Sequence, residues 1–82
     1  MNEIFKDHGY LKADGFDDAI VGIDKMSERV VYNKELMIQV LMERDEMSWE
    51  DAIEYLEYNV FCAYVGEHTP IYLDSIDLID DL

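Results

Sequence analysis

Positive charge is what this sequence has least of. Six Lys and Arg stand against 20 Asp and Glu, a formal net charge of -14. A chain of that sign repels duplex nucleic acid and anionic membranes at long range and attracts basic protein surfaces. Cysteine is nearly absent as well. Cys62 stands alone, which excludes an intramolecular disulfide and a cysteine-built zinc site. Its place between Phe61 and Ala63 predicts a buried, inert thiol. His8 and His68 are the only histidines, too few for a zinc centre without further ligands. No apolar run is long enough to span a bilayer, and Met1–Tyr10 is too mixed and charged for a secretory signal. Neither a glycine-rich phosphate loop nor a nucleophile–histidine motif is present. The expectation is a cytoplasmic, non-enzymatic protein with no catalytic residues, metal or cofactor, and no direct contact with nucleic acid or membrane.

What the sequence does carry is apolar mass, since half of its residues are hydrophobic. That is well above a disordered acidic chain and predicts folding. Eighty-two residues predict one domain, 1–82, whose core supplies only ~3–5 kcal/mol. A homodimer or a bound partner can contribute the rest.

Periodicity divides the chain. Residues 1–14, with "HGYLKADG" at their end, read as an irregular arm. "DDAIVGID" and "ERVVYN" are short β-branched runs separated by a polar turn, which predicts an antiparallel hairpin. Gly22 within the first run suggests a bulge or a close backbone approach. Asn33 is a good N-cap for "KELMIQVLMER", a helix over about 34–46 with Leu36, Met37, Ile38, Val40, Leu41 and Met42 as its apolar stripe. Its last turn, "ERDE", has the wrong sign for a helix C-terminus, so either the helix stops early or the acids serve another purpose. Ser48 caps a second helix at Asp51, with Trp49, Ala52, Ile53, Leu56, Val60 and Ala63 on one side. That helix is expected to end near Val65, with Gly66 as its left-handed cap. Pro70 then opens a third strand, "TPIYL". The expected fold class is α+β: a β-hairpin, two consecutive helices and a third strand, giving a small antiparallel sheet packed on a helical pair. Residues 74–82 form an acidic tail that alternates Asp with Ile and Leu.

Three blocks carry a wider likeness: "GFDDAIVG", "MSWEDA" and "YNVFCAYVGEHTP". With them the chain resembles a family of small uncharacterised proteins of bacteriophages and bacteria, over roughly residues 13–73. The family has no established activity. The resemblance implies origin rather than chemistry: a phage-type protein acting in a bacterial host cytoplasm.

Candidate sites follow from residue type. Glu43, Asp45, Glu46, Glu50, Asp51, Glu54 and Glu57 crowd the helix junction with Arg44 as the one counter-charge. Such a row either is a solvated face or imitates phosphates and meets a basic host surface. Tyr55, Tyr58, Asn59, Tyr64, Glu67 and Thr69 form the second set. Asn59 among apolar neighbours is unusual, because an unpaired buried amide is costly. These residues read as structural caps, as a partner anchor, or as a ligand site. Asp14, Asp17 and Asp18 offer oxygen ligands to a hard cation such as Mg²⁺ or Ca²⁺ but lack the EF-hand spacing; Asp17 or Asp18 reads more readily as the cap of a turn or of a strand start.

The preferred function is host-protein binding and modulation, with nucleic-acid (DNA) mimicry as its sharper form. One alternative is a small-molecule or nucleotide-sequestering protein, or minimal enzyme, built on Asn59, Glu67 and the tyrosines. Another is a homo-oligomeric structural protein.

Overall fold

A computed structural model describes residues 4–74, and the tail expected after Asp74 lies outside the described residues. The class is α+β, as the sequence predicts. One expectation fails near the start, where residues 4–13 form a hairpin rather than part of an irregular arm. Strand β1 (Ile4–Asp7) pairs antiparallel with β2 (Tyr10–Ala13). Their two-residue loop places His8 at φ 52° and Gly9 at φ 86°. Positive φ at both positions matches the twist of a hairpin, and glycine takes it without a Cβ clash.

A 3₁₀ turn (Asp17–Ala19) joins this hairpin to β3 (Ile20–Asp24), which pairs with β4 (Arg29–Asn33) as expected. The register shifts between Ile20 and Gly22, so the bulge is present. A Cβ at Gly22 would meet nothing within 4 Å, so bulging rather than close approach explains that glycine. Asp24 closes the β3–β4 turn by accepting from Met26 N–H at 3.1 Å and from the Ser27 hydroxyl at 2.9 Å. The Ser27 hydrogen bond is the main cause that holds the Asp24 carboxyl below its ordinary pKa.

Asn33 caps α1 (Lys34–Arg44), its side-chain oxygen accepting from Leu36 N–H at 2.9 Å. The helix stops two residues short of Glu46, so Asp45 is its C-cap and Glu46 lies beyond it, with Arg44 as the favourable charge in the last turn. Glu46 turns the chain at φ 55°, and Met47 N–H reaches back to the Leu41 carbonyl. Ser48 caps α2 (Trp49–Leu56) by accepting from Asp51 N–H at 3.1 Å. The expected continuation to Val65 does not occur. The chain instead widens into a π-helical turn (Glu57–Phe61), and Gly66, at φ 110°, lies beyond it in a loop.

Strand β5 (Ile71–Leu73) adds to β4, giving the sheet order β3-β4-β5. It runs parallel to β4, with Val31 opposite Ile71 and Asn33 opposite Leu73, which corrects the all-antiparallel expectation. The reason lies in the loop before it. Arg29 Nε donates to the Thr69 carbonyl, and His68 Nδ1 sits 3.0 Å from the Ser27 carbonyl. Both contacts hold residues 68–69 at the start of β4, so β5 has to leave in the direction β4 takes.

The core is Ala13, Phe16, Ala19, Val30, Tyr32, Met37, Ile38, Leu41, Ala52, Leu56 and Val60, drawn from both hairpins and both helices. Only half of the α1 stripe belongs to it: Met37, Ile38 and Leu41 are buried, whereas Leu36 and Met42 are exposed.

Candidate functional site

The helix junction presents its acids to solvent. Glu43, Asp45, Glu46, Glu50, Asp51, Glu54 and Glu57 are all exposed. Arg44 is the nearest cation in sequence, and its guanidinium is already engaged. It pairs with Asp45 at 3.2 Å, donates to the Gly15 carbonyl at 2.9 Å and lies over the Phe16 ring. Among the described residues the other six acids of this set form no ion pair with a cation. Glu50 and Asp51 stand in the first turn of α2, where the helix dipole favours negative charge.

The second candidate set is split by the fold. Tyr55, Tyr58 and Asn59 line a shallow hollow of about 370 Å³, and Met47, Asp51 and Glu54 complete its wall. The carboxylate row and the tyrosine cluster, separate in sequence logic, therefore meet on one surface. Tyr58 is 76% exposed, while Tyr55 packs partly against the core. Asn59 is itself exposed and donates from Nδ2 to the Tyr55 carbonyl at 3.0 Å. It is not the buried amide that its apolar neighbours suggested. Cys62 is likewise exposed rather than buried, and its thiol donates to the Tyr58 carbonyl. Both side chains bond carbonyls one turn back, at the place where the regular helix gives way.

Tyr64, Glu67 and Thr69 do not join this hollow. Thr69 organises the loop: its hydroxyl accepts from Val65 N–H at 2.9 Å and donates to the Gly66 carbonyl at 2.7 Å. Glu67 and Tyr64 are exposed on the same loop. Asp14, Asp17 and Asp18 line one open hollow with Phe5 and Gly15, and Asp17 is already bonded there. Lys12 bridges Asp17 at 3.0 Å and Asp7 at 3.1 Å, clamping β1, β2 and the 3₁₀ turn together. Those two hydrogen bonds, Asp17's foremost, raise the Lys12 pKa. The Lys12 hydrogen bond is also the first cause lowering that of Asp7. Among the described residues, no group of three His, Cys, Asp or Glu side chains converges to hold a metal ion. Nor is any described helix long and apolar enough to cross a membrane.

A second concavity went unnoticed in the sequence. Ile38 of α1, Trp49 and Ile53 of α2, and Phe61 of the π-helical turn form the floor of a groove of about 590 Å³, rimmed by Lys34, Glu35, Glu57 and Asp74. Trp49, expected inside, is 55% exposed here. Its position as the first residue of α2 leaves it beyond the covering elements, which a helical stripe alone does not reveal.

No family model, curated protein or solved structure matches the chain.

Proposed function

We propose that this is a non-enzymatic binding protein that docks a basic surface of a host protein and modulates it. The carboxylates of the helix junction occupy the place of a row of nucleic-acid phosphates. A phage-type origin and a bacterial host cytoplasm belong to the same reading.

One observation carries it: Asp51 and Glu54 share a hollow with the exposed Tyr58 ring and Asn59. A Lys or Arg side chain is the chemical complement of that surface. Carboxylates that have no cation of their own take its charge, and an aromatic face accepts a cation for about 0.5–1 kcal/mol at an exposed site. Glu43, Glu46, Glu50 and Glu57 extend the negative field around it and speed the encounter with a basic partner.

The test is capture from bacterial lysate on the immobilised protein at low and high salt, repeated with Asp51→Lys and Glu54→Lys together. The expected result is a basic partner recovered at low salt, released at high salt and lost to the variant. Circular dichroism of the variant should stay unchanged. Recovery indifferent to both salt and charge reversal would overturn the reading.

A further inference from the structure

We propose that the hollow between the start of β4, the start of α1 and the loop before β5 binds a small organic anion, a carboxylate or phosphate carried on an apolar body. Arg29 and Lys34 line it with Phe61, Thr69, Pro70 and Ile71, and its volume is about 370 Å³. The chain has 20 Asp and Glu against six Lys and Arg. Two of those six cations nevertheless line this one hollow, and among the described residues no Asp or Glu lines it. Composition alone would have put acids there.

Arg29 has the spare donors. The only other arginine, Arg44, is engaged with Asp45, the Gly15 carbonyl and the Phe16 ring. Arg29 is half-buried, and its Nε donates to the Thr69 carbonyl. Its two terminal nitrogens have no acceptor among the described residues. Asp24 stands opposite Arg29 in the ladder, but its carboxylate accepts from Met26 N–H and the Ser27 hydroxyl instead. The Nε bond holds one edge of the guanidinium and leaves its end-on pair of N–H groups for an oxyanion. A carboxylate or phosphate matches such a fork with two parallel hydrogen bonds. Lys34 adds a second positive charge. Its Nζ lies 5.3 Å from the centre of the Phe61 ring and 3.7 Å from Asp74, an exposed pair that solvent screens.

A net charge of -14 repels anions from a distance, but at physiological ionic strength that repulsion is screened beyond about 8 Å. Contacts inside the hollow therefore make the selection. Phe61, Pro70 and Ile71 supply an apolar wall, so a ligand with an apolar body gains burial that a bare inorganic ion lacks. The carboxylate–tyrosine hollow takes the opposite charge, so neither reading rests on the other.

The test is titration of the full chain with adenosine monophosphate, benzoate, adenosine and inorganic phosphate, followed by backbone amide chemical shifts. Expected are saturable shifts at residues 29–34 and 69–72 with adenosine monophosphate or benzoate, the tighter of the two telling phosphate from carboxylate. Adenosine and inorganic phosphate should bind about tenfold more weakly. Arg29→Gln should weaken binding about tenfold and Lys34→Gln about threefold. Lys25→Gln, at an exposed cation outside the hollow, should leave it unchanged. Should Arg29→Gln release the start of β5, the comparison of Lys34→Gln with Lys25→Gln decides the matter. No saturable shift at these residues with either organic anion would overturn the proposal. So would adenosine or inorganic phosphate binding as tightly as the organic anions, or equal losses in Lys34→Gln and Lys25→Gln.

Discussion

The Tyr32 hydroxyl accepts a hydrogen bond from the Ala13 backbone N–H at 2.8 Å. Both residues are fully buried, and the contact ties the end of β2 to the second half of β4. The first hairpin shares no sheet with β3, β4 and β5, so this bond, the packing of Ala13 and Tyr10 on the core and the Lys12–Asp17 bridge are among the contacts that dock it. Tyr32→Phe keeps the ring and strands the Ala13 N–H without a partner. The expected loss is about 1–3 kcal/mol, read by urea denaturation. Amide exchange should rise across residues 10–13 before it rises in α1.

Tyr72 is the opposite case. Its ring contacts Tyr32 and Phe61, with centroids 5.7 and 5.0 Å away, but its buried hydroxyl has no hydrogen-bond partner. Tyr72→Phe removes a desolvated hydroxyl and keeps the stack. The expected outcome is a neutral to stabilising change of up to about 1 kcal/mol, visible as an unchanged or raised Tm.

Burial is the first cause raising the phenol pKa of both Tyr32 and Tyr72 above 10. The folded state therefore holds these protons more tightly than the unfolded state does. Their contribution to stability is complete below pH 10 and falls as pH rises above it toward the folded-state values. Denaturation midpoints measured from neutral to strongly alkaline pH should drop above 10 in the native chain. They should drop less in Tyr72→Phe. A flat profile through that range would contradict the burial of these rings.

Gly15 sits at φ 84°, and a Cβ placed there would lie 2.7 Å from Arg44 Nη1. Gly15→Ala carries the left-handed backbone penalty of about 1–2 kcal/mol and also pushes the guanidinium off the Gly15 carbonyl. Thermal melting should show the loss. Arg44→Ala alone should cost less, because it removes an exposed ion pair, one backbone contact and the contact with the Phe16 ring without straining the main chain.

Asn59→Ala separates scaffold from surface. The side chain is exposed and makes its one described hydrogen bond to the Tyr55 carbonyl. The expected stability loss is about 0.5–1.5 kcal/mol, smaller than for a buried amide. Partner capture should weaken only if Asn59 touches the docked surface, which a binding measurement on the folded variant reads directly.

Local chemistry in the sequence was sufficient for the α+β class, the β3–β4 hairpin with its Gly22 bulge, and the two helix starts at Asn33 and Ser48. Each of these depends on neighbours within a few residues: β-branched runs, a turn, a side-chain oxygen near a free N–H. The chain's negative charge is likewise a property of composition. Tertiary structure decided the rest. The direction of β5 depends on Arg29 and Ser27 reaching residues some 40 positions away. The first hairpin needs the Ala13–Tyr32 contact, because four-residue strands carry too little period of their own. Exposure of Asn59 and Cys62 beside the buried Leu56 and Val60, and of Trp49 at the start of α2, depends on which faces the rest of the fold covers. Periodicity says which residues share a side of a helix; only packing determines how far along that side the protein continues.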